Sequence, residues 1–201
     1  MKSAYIVSGL RTAVGKAKKG GFRFVRPDDL AACVIKSLVK STQGLEGIMV
    51  DDLIVGNAVP EAEQGMQMGR YISLLSLPKE VPGLVINRYC GSGLEAIHLA
   101  CAKINAGSAE CVIAGGTESM SMVPMTGYKS ALNYNISVNN PDYYLNMGLT
   151  AEKLAKKYDI KREDSDLFSY NSHMKATKAI EENLFKKEIL PYDVEQIYLE
   201  N

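Results

Sequence analysis

Apolar and polar positions fall into two regimes along the chain, with a change near residue 121. In the first regime, short apolar runs alternate with stretches at helical spacing. Ala4–Val7, Asp52–Val55, Gly83–Ile86 and Cys111–Ala114 each predict a strand, bounded by turn-forming or polar residues. Between the first two, Leu30, Val34, Ile35 and Leu38 recur along a helix that Arg26-Pro27-Asp28-Asp29 opens and that runs to about Lys40. Acids in its first turn suit the positive end of a helix dipole. Pro60–Gly65 reads as a loop, Met66–Leu75 as a helix, and Pro78 and Pro82 bracket a turn. Strands alternating with helices argue for α/β layers around a parallel or mixed sheet. Beyond Ser121 the pattern dissolves. Met122, Met125, Tyr128, Tyr134, Tyr143 and Tyr144 are scattered among Asn, Ser and Pro through Asn146, a long irregular segment of the kind that serves function or moves. Thr150–Tyr158 and Arg162–Asn183 then predict two amphipathic helices, with Thr150 as N-cap and Glu152 in the first turn.

The stretch that stands out is Val85–Leu99. An apolar run ends in Asn87-Arg88-Tyr89, then come Cys90 and Gly91-Ser92-Gly93, and then apolar residues return at helical spacing. Leu94, Ile97, Cys101 and Ile104 predict one stripe of a largely apolar, buried helix. Cys90 therefore sits where a strand turns sharply into a helix, and the glycines permit close backbone approach there. The first amides of a helix lack intrahelical partners and carry the positive end of the dipole. Both features favour a thiolate, the reactive form of cysteine, and the same amides can hold an oxyanion during acyl transfer. A small buried cysteine closing a tight turn is the bland alternative. The strand–Cys–Gly-Ser-Gly–helix order favours the nucleophile.

Composition narrows the rest. In 201 residues, 23 Lys and Arg balance 23 Asp and Glu, so there is no basic excess to draw a nucleic acid. No apolar stretch reaches the length of a membrane span, and MKSAYIVSGLRTAVG lacks the features of a signal peptide. A cytoplasmic protein with no membrane partner is the expectation. Cys33, Cys90, Cys101 and Cys111 match neither a zinc site nor a disulfide framework, so reduced thiols and no metal are expected. Lys16, Lys18 and Lys19 lie in a Gly/Lys-rich loop without P-loop spacing and read as solvated. His98 follows Cys90 by eight residues, about 12 Å along a helix, beyond hydrogen-bond reach. His173 lies in a polar helix. Cys101 is too far along the same helix to act as a second thiol for Cys90.

Several stretches together resemble the thiolase family, acyl-CoA C-acyltransferases such as acetyl-CoA acetyltransferase and 3-ketoacyl-CoA thiolase. NRYCGSGLEAIHLA resembles its nucleophile motif, AGGTESMSMVPM its glycine–methionine stretch, and MGLTAEKLAKKYDIKREDSD the helical part of its covering loop region. RTAVGK and PEAEQG also fit, the latter in the style of the degradative branch. The resemblance covers the N-terminal half of that family. It implies an α/β, thiolase-like layered fold: a βαβαβαββ half-unit with a mixed sheet over 1–120, then the start of the covering region over 121–201. The family's C-terminal half is absent from this sequence.

The resemblance further implies that Cys90 takes the acyl group as a thioester, and that Met147 walls the acyl pocket while Tyr89 shapes it. An ordinary packing methionine and an ordinary turn tyrosine are the alternatives for those two. Asn146 stands where many thiolases carry histidine, which departs from the short-chain biosynthetic pattern. CoA and acyl-CoA thioesters are implied as substrates, with no permanently bound cofactor and with CoA contacts unassigned. A homo-oligomer (dimer or tetramer), or a complementary C-terminal half, is the implied partner. The family's histidine in Gly-His-Pro and its second cysteine in Cys-x-Gly have no counterpart in this sequence. Three readings stay open: the N-terminal portion of a thiolase, a catalytically incomplete module that dimerises or binds acyl-CoA, and a related condensing enzyme. The glycine–methionine and covering-region stretches speak against the third.

Overall fold

A computed structural model describes residues 2–195. Residues 196–201, the end of the expected covering region, lie outside the described ones. The chain divides into two compact units, one from the N-terminal segment to Tyr128 with the return from Glu188, the other Lys129–Lys187.

The first unit is built around one strand. It contains β1 (Arg11–Thr12), α1 (Pro27–Ser41), β2 (Asp52–Gly56), α2 (Met68–Ser76), β3 (Gly83–Ile86), α3 (Ser92–Asn105) and β4 (Val112–Gly116). The sheet order is β3-β2-β4, and every pair is parallel. No antiparallel strand of a mixed sheet occurs among the described residues. β2 is buried along its whole length and divides the core by strict alternation. Leu53 and Val55 pack with Ile35, Met68, Ile72 and Ile113, on the side of α1 and α2. Ile54 points the other way, onto Ala96 and Ala100 of α3. α2 approaches β3 so closely that a Cβ on Gly83 would lie 2.2 Å from the Gly69 carbonyl oxygen. At the start of β2, the buried carboxylate of Asp52 pairs with Lys103 in the last turn of α3.

The structure corrects four expectations. Ala4–Val7 is not a strand: Tyr5, Ile6 and Val7 are 80%, 81% and 83% exposed. An extended segment becomes a strand only when another strand completes its hydrogen bonds. The chain on either side of this segment is tied down, by Lys2 to the Glu110 carboxylate and by Arg11 to Glu188. A cavity of about 680 Å³ adjoins both this segment and Val112 and Ala114 of β4. Only Arg11–Thr12 finds a partner, parallel β5 (Ile189–Leu190).

The second correction concerns α3. Its buried face is Ser92, Ala96 and Ala100, whereas Leu94 on the expected stripe is 73% exposed. The helix start lies so near β2 that a Cβ on Gly56 would meet the Ser92 carbonyl carbon at 2.5 Å, so small residues take the contact.

The other two corrections lie at the edge of and within the second unit. The expected irregular stretch contains α4 (Tyr134–Asn139), capped by Asn133 Oδ1 accepting from the Ile136 N–H, and a 3₁₀ turn at Pro141–Tyr144. The helix expected from Thr150 begins three residues earlier, as α5 (Met147–Tyr158). Asn146 is its N-cap, with Oδ1 accepting from the Leu149 N–H. α6 (Arg162–Glu181) follows, and α4, α5 and α6 carry no buried residue.

Candidate active site

The parallel strands β2, β3 and β4 all end at the same edge of the sheet, which is where open α/β sheets collect their functional groups. β3 ends at Ile86, and four residues later Cys90 lies exposed, one residue before Gly91, the N-cap of α3. Tyr89, directly before the cysteine, has a left-handed backbone with φ of 46°. That conformation costs a non-glycine residue about 1–2 kcal/mol and survives only where neighbours fix it.

Several bonds do so. Asn87 Oδ1 accepts from the Tyr89 N–H at 2.8 Å. Ser92 Oγ accepts from the Arg88 N–H at 2.9 Å and donates to the Tyr89 carbonyl at 2.6 Å. The Ser92 N–H also returns to the Tyr89 carbonyl, at 3.0 Å. The Arg88 guanidinium closes the outside of the turn on the Glu95 carboxylate, with contacts of 2.9 and 3.1 Å. Ser92 itself is buried, and its hydroxyl is satisfied by its two part-buried bonds to the turn.

The loops after β2 and β4 are clasped together beside this turn. Gln64, fully buried, donates through Nε2 to the Val59 carbonyl at 2.8 Å and to Glu118 at 2.7 Å, and accepts the Ser119 N–H at 2.5 Å. The other Glu118 oxygen accepts the Ala58 N–H at 2.7 Å. Asn57 donates to the Thr117 carbonyl at 3.0 Å, and its buried Oδ1 has no partner among the described residues. Glu61 caps the far end of the β4 loop by accepting the Tyr128 N–H at 2.6 Å, against the left-handed Gly127. A carboxylate and an amide from one short loop thereby shape the other.

The remaining sequence candidates occupy other places. Tyr89 presents its ring to solvent beside Cys90. Met147 opens α5 in the second unit and is exposed. His98 on α3 and His173 on α6 are exposed. Cys33, Cys101 and Cys111 are free thiols at intermediate depth. Burial, and then the nearby Asp51 charge, push the Cys111 thiol up, which makes it the less reactive kind of cysteine. Lys16, Lys18 and Lys19 lie on an exposed loop. No cluster of three or more metal-ligating side chains occurs among the described residues.

Sequence reasoning overlooked Asn87, Ser92, Gln64 and Glu118. Asn87 and Ser92 were legible as polar residues inside the turn motif, with side chains short enough to bond backbone two or three residues away. Gln64 and Glu118 carried no such local signal, because their partners are distant in the chain.

The family description "Thiolase, N-terminal domain" matches residues 4–198. A 3-ketoacyl-CoA thiolase of Bacillus subtilis (strain 168) is 52% identical over 195 residues, 96% of this chain and 50% of that protein. A 3-ketoacyl-CoA thiolase of Enterobacter sp. (strain 638) is 38% identical over 192 residues, 95% of this chain and 49% of that protein. The chain spans about half the length of the curated relatives it matches.

Proposed function

This chain belongs to the thiolase family, whose N-terminal domain it spans, and from that premise we propose that it carries the nucleophile of an acyl-CoA C-acyltransferase. Cys90 is that nucleophile. In the cleavage direction its thiolate adds to the 3-keto carbon of a 3-ketoacyl-CoA. The bond between the α and β carbons then breaks, its electron pair passes to the α carbon, and that carbon takes up a proton to leave as acetyl-CoA. The acyl group remains on Cys90 as a thioester until the sulfur of CoA attacks it, forming acyl-CoA and returning the thiolate, while the proton the CoA thiol gives up restores the one taken by the α carbon. In the condensing direction the same steps run backwards. Sulfur suits this cycle because the second half exchanges the Cys90 thioester for the CoA thioester with little change in bond energy, and the covalent intermediate splits a difficult reaction into two easier steps. The observation that supports the reading best is an exposed thiol on a pinned, strained turn at the start of α3.

Met147 is proposed as a wall of the acyl pocket and Tyr89 as a residue that shapes it. Residues 1–120 are proposed as the core half, and those from 121 onward as the start of the covering region. The base that activates Cys90 and the group that moves the α proton are assigned to the part of the family's length that this chain does not span. Acyl-CoA and CoA act as substrates, with no permanently bound cofactor. The proposed partners are further copies in a homo-oligomer (dimer or tetramer), or a complementary C-terminal half that would complete the site, and the cytoplasm is the proposed location. No helix among the described residues is long and apolar enough to cross a membrane.

The test is intact mass spectrometry after incubation with acetyl-CoA and acetoacetyl-CoA, with peptide mapping of any adduct. An acyl group on Cys90 is expected, lost in Cys90→Ser. In the complete enzyme Cys90→Ser should remove nearly all turnover while leaving the fold intact, and retained turnover would take Cys90 out of the mechanism. A folded chain that takes no acyl group, even with the remaining half added, would favour a module that only binds acyl-CoA.

A further inference from the structure

Resting on the reading of Cys90 as nucleophile, we propose that Asn87 is a positioning residue that sets the direction and reactivity of this thiol. The turn at 87–92 is held from within by Ser92, whose hydroxyl partners, Arg88 N–H and Tyr89 carbonyl, both belong to the turn. Asn87 does something different. Its Oδ1 accepts from the Tyr89 N–H at 2.8 Å, while its Nδ2 donates to the Ala58 carbonyl at 2.9 Å in the loop after β2. One amide therefore links the nucleophile's turn to a neighbouring strand end. Both partners fix its orientation, since the oxygen faces a donor and the nitrogen faces an acceptor.

The anchor at Ala58 is itself immobilised. Its N–H donates to Glu118 at 2.7 Å, and the other Glu118 oxygen accepts from fully buried Gln64 at 2.7 Å. The sequence of bonds thus runs from a buried core amide, through a carboxylate, the backbone of Ala58 and the Asn87 amide, to the backbone of the strained residue before Cys90. Without Asn87 the left-handed Tyr89 loses the bond on its N–H, and the turn is free to relax toward ordinary backbone. Such relaxation carries Cys90 away from the amide end of α3, whose partial positive charge acts only within about one turn. Ser92 keeps the turn closed; Asn87 aims it.

The experiment compares iodoacetamide alkylation rates of each cysteine in the full 201-residue chain, read by peptide mapping, alongside thermal melting. Asn87→Ala is expected to slow Cys90 about two- to fivefold while Cys33, Cys101 and Cys111 keep their rates. Asn87→Ser retains a short acceptor for the Tyr89 N–H but does not reach Ala58, so its Cys90 rate should fall between the two. Ser73→Ala, which removes a buried hydroxyl bonded to the Val81 carbonyl, serves as the destabilised control and should leave the Cys90 rate unchanged. A purely structural role lowers the melting temperature of Asn87→Ala and leaves its Cys90 rate equal to that of the parent, which overturns the proposal. If Asn87→Ala fails to melt cooperatively, Asn87→Ser decides alone, and a rate equal to the parent's again overturns it. Failure of the parent chain to accept an acyl group counts against the acyltransferase reading only, because alkylation is measured without acyl-CoA.

Discussion

Gly56 and Ser92 set the geometry of the nucleophile's turn from below. A Cβ on Gly56 would lie 2.5 Å from the Ser92 carbonyl carbon and 2.7 Å from the Gly93 nitrogen. Both are backbone atoms, so neither yields by rotating a side chain. Gly56→Ala should cost about 2 kcal/mol through overpacking, read as a lower urea midpoint at unchanged slope. Ser92→Ala leaves the part-buried Arg88 N–H without its acceptor and removes the donor to the Tyr89 carbonyl. A loss of about 1 kcal/mol follows from those bonds, measurable in the same titration. A Ser92→Ala variant as stable as the parent would show that the turn finds another partner.

At the scale of elements, contact between α2 and β3 depends on two facing glycines. A Cβ on Gly69 would lie 2.4 Å from the Leu84 carbonyl oxygen, so Gly69→Ala should push the helix off the strand and destabilise by about 2–3 kcal/mol. Entry into β4 depends on a charge. The Asp51 carboxylate accepts the Glu110 N–H at 2.7 Å and the Cys111 N–H at 3.0 Å. These bonds, the Glu110 one first, hold its carboxyl below the usual carboxylate range. A depressed folded value means that the stabilisation is present above the unfolded value, near about pH 3.9, and is lost as pH falls through the lower folded value. Asp51→Asn should therefore flatten the acid limb of stability below about pH 4. The effect stays under about 1 kcal/mol because the group is exposed to solvent screening. An unchanged acid limb would place the acid sensitivity elsewhere.

For the molecule as a whole, the unit around β2 leaves apolar groups uncovered. Tyr5, Ile6 and Val7 are exposed, as are Leu94 and Leu74, and β4 ends the sheet with the uncharged run Val112–Gly116. Edge strands without charged side chains, next to exposed apolar residues, are surfaces that associate. Sedimentation velocity on the isolated chain should show dimers or larger species. A compact monomer with one cooperative melt would count against the proposal that a complementary half covers these groups. Adding a polypeptide that spans the remaining length of the relatives should suppress the self-association.

Much of this was legible along the chain, because it rests on local chemistry. Short continuous apolar runs bounded by turn residues marked β2, β3 and β4, and the Cys-Gly-Ser-Gly turn marked the reactive position. The dihedral limits that turn a strand into a helix act within a few residues. Tertiary structure decided what depends on distant partners. The facing of α3 followed from the closeness of β2, which admits alanine and excludes the Leu94 stripe. The pairing of Gln64 with Glu118 spans 54 positions and exists only because β2 and β4 lie side by side in the sheet. Ala4–Val7 has the composition of a strand and remains outside the sheet, since a ladder needs two sides and none of its bonding groups meets β4. Periodicity is a property of one segment, whereas burial and hydrogen bonding are properties of pairs, and only the fold chooses the pairs.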